Sequence, residues 1–221
     1  ALSQSPWSSF MGLLAHGGHA YNARSEDEIR PYAIEEREQI ALCARRIRAE
    51  GISVPRLSIG STPTLRGADH LNDIDEIRPG NYIFFDRSQA AIGSCQPAEI
   101  AVTVLTTVIG CYPERNCALI DAGALALSKD AGDGCSGFGQ VCDLSGEPLI
   151  GIELCGLSQE HGKLKAQPGA VLPSIHDRLR IRPNHSCLTA ALFSEYHAHR
   201  GAEVHDIWSP VRGWTVAHGR R

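Results

Sequence analysis

The hydrophobic pattern of this 221-residue chain changes near Gly67, and this change limits the folds that the chain can adopt. Before it, residues 10–15 and 54–59 are short apolar runs that read as buried strands. Between them, Ile40, Ala44 and Ile47 recur at helical spacing. The order strand, helix, strand is therefore predicted for the first part of the chain.

The second part has the composition of a β-rich domain. Its strand-like runs cover residues 82–86, 101–112, 117–121, 138–142, 149–154, 180–182 and 203–208. One helix is predicted from Leu188 to about His197. We therefore expect an α/β part over residues 1–66 and a β-rich domain over residues 67–221.

The sequence gives two possible starts for the first helix and one clear end. Ser25 and Glu28 have the spacing of a capping box, but Pro31 favours a later start, near Tyr32 or Ala33. Gly51 fits the helix C-terminus.

Charge and composition exclude several classes of partner. The net charge is -4 with a pI of about 6.2, and acidic and basic residues are mixed, so no basic stripe is present for nucleic acid. No apolar run reaches the roughly 18 residues that span a bilayer. The eight cysteines are scattered through apolar segments, which favours reduced core residues over a disulfide scaffold. These features predict a soluble, cytoplasmic protein.

The segment from Arg182 to Cys187 contains the sharpest chemical signal. His185 and Cys187 lie two residues apart, and in an extended segment they project to the same side. An imidazole nitrogen and a thiolate together suit zinc, which could polarise a substrate oxygen through an open position. The alternative is a buried cysteine beside a hydrogen-bonded histidine.

Two loops that follow strands could hold an anionic or aromatic ligand. Residues 60–64 offer small side chains, hydroxyl groups and backbone N–H groups, which together could hold a phosphate; they are also ordinary turn residues. His16, His19 and Tyr21 crowd another strand end and could contact an aromatic cofactor, or could simply form a satisfied polar loop.

Six motifs in this order resemble the D-serine dehydratase and D-threonine aldolase family, over nearly the whole chain. They are His16-Gly17-Gly18-His19-Ala20-Tyr21, Gly60-Ser61-Thr62-Pro63-Thr64, Arg78-Pro79-Gly80-Asn81-Tyr82, Asp121-Ala122-Gly123, Gln159-Glu160-His161-Gly162 and Asn184-His185-Ser186-Cys187. The resemblance implies an alanine racemase-like fold, in which a (β/α)8 barrel that binds pyridoxal phosphate precedes a β-rich domain that carries a metal. Residues 1–66 would be the end of that barrel, since two strand-helix units cannot close eight strands.

The resemblance also implies roles for individual residues. His185 and Cys187 would be the zinc ligands, with His161 as a neighbour. Residues near the cofactor phosphate, its ring or the substrate would be Tyr21, Gly60, Ser61, Thr62, Thr64 and Tyr82. The related aldolases have His-x-Asp where this chain has His-x-Cys, which favours zinc-dependent dehydration of a D-3-hydroxy amino acid over retro-aldol cleavage.

One element of the family pattern has no match in this sequence. The lysine that forms the Schiff base belongs to the family's N-terminal segment, and Lys129, Lys163 and Lys165 lie in other contexts. The expected partners are therefore that N-terminal segment, a small D-amino acid and a second subunit of a homodimer. The alternative is a non-catalytic ligand-binding or assembly module.

Overall fold

The computed structural model describes residues 6–132 and 134–212, which form two compact units. Of the described residues, the first contains 6–103, 130–132, 134–139 and 182–186, and the second contains 104–129, 140–181 and 187–212. The predicted division at residue 67 therefore lies inside the first unit. Two short segments that are distant in sequence join the first unit.

The first unit contains a parallel three-stranded sheet with helices in its connections. Its elements are β1 (Leu13–Leu14), α1 (Glu26–Ala49), β2 (Leu57–Ile59), α2 (Thr62–Gly67), β3 (Glu76–Ile77) and α3 (Arg87–Ala91). The strand order is β1-β2-β3, and both pairs are parallel. The predicted strand, helix, strand order is confirmed, because α1 connects β1 to β2.

Helix α1 begins earlier than Pro31 suggested. Ser25 is its N-cap and accepts a hydrogen bond from the backbone N–H of Glu28, whose carboxylate accepts one from Arg24 N at 2.8 Å. Pro31 lies one turn further on and lacks only the N–H that would donate to Asp27. The two capping bonds offset this loss. The predicted start near Tyr32 was therefore wrong, whereas Gly51 does follow the helix end with a φ of +77°.

The second unit is built on a closed six-stranded barrel. Its strands are β4 (Val104–Tyr112), β5 (Cys117–Ile120), β6 (Gln140–Cys142), β7 (Pro148–Leu157), β8 (Gly162–Ala166) and β9 (Arg178–Arg182), in the order β4-β5-β8-β7-β6-β9. Strand β8 was not predicted, because the buried Leu164 is flanked by the exposed Lys163 and Lys165, and one leucine between two lysines does not form an apolar run. Alternating burial along β4 and β8 gives one apolar face to each strand.

Two other elements differ from the prediction. Residues 82–86 form a turn instead of a strand, because Phe84 N and Phe85 N both donate to Asn81 O. The helix predicted up to His197 ends at Ala191, as α5 (Ser186–Ala191). Next come β10 (Tyr196–Arg200) and β11 (Glu203–Trp208), an antiparallel pair, and β11 has the predicted bounds. A short helix, α4 (Ala124–Leu127), follows β5. None of the described helices has the length and hydropathy needed to cross a bilayer.

Candidate functional site

Three of the predicted loops converge at the carboxyl edge of the parallel sheet. His16 follows β1, Gly60 follows β2 and Arg78 follows β3, and neighbouring parallel strands end on the same side. His16 Nδ1 hydrogen-bonds to Gly60 O, and Asn81 N donates to Thr62 Oγ1 at 3.1 Å. This edge is where α/β folds bind ligands.

The Gly60 loop is closely packed and internally bonded. A Cβ at Gly60 would lie within 3.0 Å of Arg78 backbone atoms, so only glycine fits. Ser61 caps α2 by accepting from Thr64 N at 3.2 Å, and the two hydroxyls share a hydrogen bond of 2.8 Å. Ser61, Thr62 and Thr64 are all buried. The hydroxyls of this loop already have partners within the chain, and so do the backbone N–H groups of Gly60 and Thr64. Phosphate binding by this loop stays a prediction.

A buried carboxylate joins the His16 and Gly60 loops. Glu36 is 5% exposed, and its Oε1 accepts hydrogen bonds from Gly17 N at 2.6 Å and Gly60 N at 3.3 Å. Its Oε2 is buried without a partner among the described residues. Sequence reasoning missed Glu36, although it lies on the buried stripe of α1 with Ile29, Ala33, Ile40 and Ala44. A charged residue on an apolar helix face was the available signal.

Replacing Glu36 by Ala should therefore destabilise the first unit and loosen both loops. Two buried N–H groups lose their acceptor, which costs about 3 kcal/mol of unfolding free energy in total. Urea denaturation would measure this loss. Glu38→Ala is the matched control on the same helix, because the Glu38 side chain is 64% exposed and its change should cost under about 0.5 kcal/mol. Equal stability of the two variants would contradict the bracing role.

The aromatic candidates lie at the margins of this edge. Tyr21 is in a 3-10 turn, Gly18–Asn22, and packs against a small apolar cluster that includes Ile29 and Ile92. Tyr82 is 54% exposed. The His19 ring meets Tyr32 edge-on at a centroid distance of 4.9 Å. The roles of Tyr21 and Tyr82 in cofactor binding remain predictions.

The two weaker motifs meet in the second unit for a structural reason. Gly123 lies against the turn between β7 and β8, where a Cβ would approach within 3.0 Å of backbone atoms of Gln159 and His161. Ala124 N donates to Ser158 O at 2.9 Å. The side chain of Asp121 accepts hydrogen bonds from Thr106 Oγ1 and Thr107 N. Close packing and hydrogen bonding therefore account for the residues of both motifs. That His161 lies near a metal stays a prediction.

The His185 segment is not extended as predicted. Strand β9 ends at Arg182, and α5 begins at Ser186, whose backbone N–H donates to Asp86 Oδ2 at 2.8 Å. Pleated alternation therefore does not relate His185 to Cys187, and that part of the prediction was wrong. The alternative, a buried cysteine beside a hydrogen-bonded histidine, is wrong for Cys187, which is exposed, and confirmed for His185, which is hydrogen-bonded.

His185 hydrogen-bonds to a carboxylate that sequence reasoning did not identify. Its Nδ1 lies 2.6 Å from Asp130 Oδ2, and both side chains are more than a third exposed. The hydrogen bond from His185, helped by one from Gly132 N, lowers the pKa of Asp130. An ionised carboxylate can only accept, so the Nδ1 position carries the proton. Nothing in the sequence around Asp130 marks it, because 55 residues separate it from His185.

The predicted zinc ligands, His185 and Cys187, are not part of a larger cluster of ligand side chains in the described structure. Across residues 6–132 and 134–212, no three His, Cys, Asp or Glu side chains are grouped as a metal site. An imidazole and a thiolate are ligand types that suit zinc, and their role as zinc ligands stays a prediction. None of the eight cysteines is in a disulfide, but only Cys95, Cys117 and Cys142 are buried, so the prediction that most are core residues was wrong. Burial raises the pKa of the Cys95 thiol to about 11.

Comparison with solved structures defines the class of fold. An alanine racemase-like protein of Idiomarina loihiensis matches 92% of this chain with a TM-score of 0.85 and 36% identity, over 56% of its own length. D-threonine aldolase of Filomicrobium marinum matches with a TM-score of 0.73 at 23% identity, which shows a shared fold. The chain therefore has an alanine racemase-like fold.

The sequence relatives place the chain more narrowly. The family model described as "Putative serine dehydratase domain" matches residues 101–199. D-threo-3-hydroxyaspartate dehydratase of Delftia sp. HT23 is 38% identical over 213 residues, and D-serine dehydratase of Dictyostelium discoideum is 34% identical over 218. The chain belongs to the D-serine dehydratase family. It spans 56% and 55% of the length of these two relatives.

Two solved structures of a D-threo-3-hydroxyaspartate dehydratase are of alanine variants. One is the metal-free form of a variant in which alanine replaces a cysteine. The other has alanine in place of the histidine two positions before that cysteine. The wild-type dehydratase matches this chain with a TM-score of 0.83.

Proposed function

We propose that this chain is part of a pyridoxal phosphate- and zinc-dependent lyase that eliminates the β-hydroxyl group of a D-3-hydroxy amino acid. The products would be a 2-keto acid and ammonia, as in D-serine dehydration. The dehydratase relatives support the reaction class. The observation that carries the proposal is the hydrogen bond between His185 Nδ1 and Asp130, because histidines that bind metals usually donate their other ring N–H to such a group, and the same motif contains the thiol of Cys187.

His185 and Cys187 would hold the zinc ion. The same residue types, two positions apart, are the ones replaced in the two dehydratase variants, and one of those structures is metal-free. A thiolate ligand favours zinc over harder divalent cations. Two protein ligands leave positions open for a substrate oxygen.

The carboxyl edge of the parallel sheet would bind pyridoxal phosphate. Its phosphate would lie at the Gly60 loop with Ser61, Thr62 and Thr64, and its ring or the substrate near Tyr21 and Tyr82. When bound, the cofactor accepts the electrons left on the substrate after α-proton loss, and zinc makes the β-hydroxyl a better leaving group. Glu36 would keep the phosphate loop in place through Gly60 N.

Three parts of the proposal concern the complete protein. Residues 1–66 would form the end of the cofactor-binding (β/α)8 barrel, and residues 67–221 would form the β-rich metal-binding domain. The Schiff-base lysine would come from outside this chain. The enzyme would act as a homodimer, by analogy with the family.

The test is an assay of the protein, expressed from its complete gene, with D-serine, D-threonine and D-threo-3-hydroxyaspartate, with and without a chelator. We expect release of 2-keto acid and ammonia from at least one substrate, loss of activity with chelator and recovery with zinc. Aldehyde and glycine as products would instead indicate the aldolase reaction. Absence of turnover and of cofactor absorbance would favour a non-catalytic module.

A further inference from the structure

Residues 130–139 and 182–186 are held together within the first unit by one buried amide. Asn184 is 1% exposed, and its Nδ2 donates to Ala131 O at 2.6 Å and to Gly137 O at 2.9 Å. Its Oδ1 accepts from Arg87 Nη1 at 2.7 Å, and the same nitrogen donates to Ser136 O at 2.9 Å. The side chain that directly precedes His185 therefore anchors the segment that begins with Asp130.

The backbone on both sides of His185 is anchored as well. Ser88 Oγ donates to Asn184 O at 2.8 Å, and Ser186 N donates to Asp86 Oδ2 at 2.8 Å. Asp86 is fully buried and also accepts hydrogen bonds from Asn81 Nδ2 and Gln89 N. This many independent bonds would not be needed to place a solvated histidine.

The carboxylate of Asp130 is itself oriented. Its Oδ1 accepts from Gly132 N at 2.9 Å, which leaves Oδ2 for His185. Gly132 has a φ of +71°, and a Cβ there would lie within 3.0 Å of Ser88 Oγ and Asn184 Cβ, so the turn that orients the carboxylate requires glycine. Both partners of the His185–Asp130 pair are thus held in place.

We propose that Asp130 is a positioning residue that fixes the ring orientation and tautomer of His185, so that Nε2 is presented to the metal. The inference deepens the proposed function and rests on it. Histidines that ligate metals usually donate their other ring N–H to a carboxylate or carbonyl, and removing such a partner weakens metal binding by about 10- to 100-fold. The His185–Asp130 contact has this arrangement.

Zinc affinity, measured by competition with a chromophoric chelator on the complete protein, tests the role of Asp130. We expect Asp130→Ala to weaken zinc binding by about 10- to 100-fold, and Asp130→Asn to weaken it to a similar extent, because the single amide oxygen cannot accept from both Gly132 N and His185 Nδ1. Asp143→Ala is the matched control, because the Asp143 carboxylate also bonds within its own turn but contacts no histidine in the described structure. Zinc affinity within twofold of wild type in Asp130→Ala would overturn the inference.

A double-mutant cycle separates positioning from a general structural effect. If Asp130 acts through His185, its removal should have no further effect on zinc affinity in a His185→Ala background. An equal loss in both backgrounds would contradict positioning. With cobalt in place of zinc, Asp130→Ala should keep the thiolate-to-metal charge-transfer band of Cys187 while the ligand-field bands shift; loss of both would indicate structural collapse and overturn the inference. A wild-type protein whose zinc binding does not depend on His185 or Cys187 would overturn the proposed zinc site together with the inference.

Discussion

Replacing Cys187 by Ala is expected to remove zinc and to abolish β-elimination while leaving bound pyridoxal phosphate largely in place. The thiolate would be one of two protein ligands, so its loss leaves the ion with a single imidazole. Lewis-acid activation of the β-hydroxyl contributes several kcal/mol to transition-state stabilisation, so turnover should fall by on the order of 1,000-fold. Metal analysis, 2-keto acid formation and cofactor absorbance would be measured on the same preparation.

Cys43→Ala is the matched control for this variant. Cys43 is also an exposed free cysteine, but it lies on α1, far from the His185 motif in sequence. We expect it to retain zinc and activity. Unchanged zinc content in Cys187→Ala would defeat the assignment, and loss of cofactor together with zinc would indicate a folding defect.

Replacing Gly123 by Ala is expected to destabilise the second unit by about 3 kcal/mol or more. The added methyl group would lie within 3.0 Å of backbone atoms of Gln159, Glu160 and His161, and backbone cannot rotate away as a side chain can. The hydrogen bonds from Ala124 N to Ser158 O and from Leu125 N to Gln159 O would be strained in the same movement. Urea or thermal unfolding would measure the loss.

Gly156→Ala provides the comparison on β7 of the same barrel. The nearest atom to its new Cβ would be Lys163 Cβ, at an ordinary 4.0 Å. The free energy of unfolding should therefore change by less than about 1 kcal/mol. If the two alanine variants unfold at the same denaturant concentration, the close approach at Gly123 is not maintained in solution.

The elements that the sequence predicted well are those with a strong local pattern. Strands β4, β5, β7 and β11 were found from apolar runs, and α1 from its periodicity. The failures have local causes that pattern reading undervalued. At Pro31, two capping hydrogen bonds outweighed the missing N–H, so the helix starts before the proline. Strand β8 was missed because the exposed Lys163 and Lys165 interrupt its apolar pattern.

The candidate site divides in the same way. The loops at Gly60 and His16 were placed at strand ends from sequence, and parallel pairing does bring them together. Glu36, which hydrogen-bonds to both loops, could have been found from the sequence as a charged residue on an apolar helix face. Asp130 could not have been found in this way, because its partner His185 is 55 residues away in sequence, and such a hydrogen bond depends on the tertiary fold and not on local composition.

By itself, the sequence determined helix α1, most of the barrel strands and the order of the motifs, and it supplied the residue types from which a zinc site at His185 and Cys187 is predicted, since these depend on residue type and spacing along the chain. Only the tertiary structure decided that α5 starts at Ser186, that Glu36 braces two loops and that Asp130 faces His185. Those outcomes depend on which donors and acceptors come within 3 Å of each other, and covalent order does not specify such distances across tens of residues.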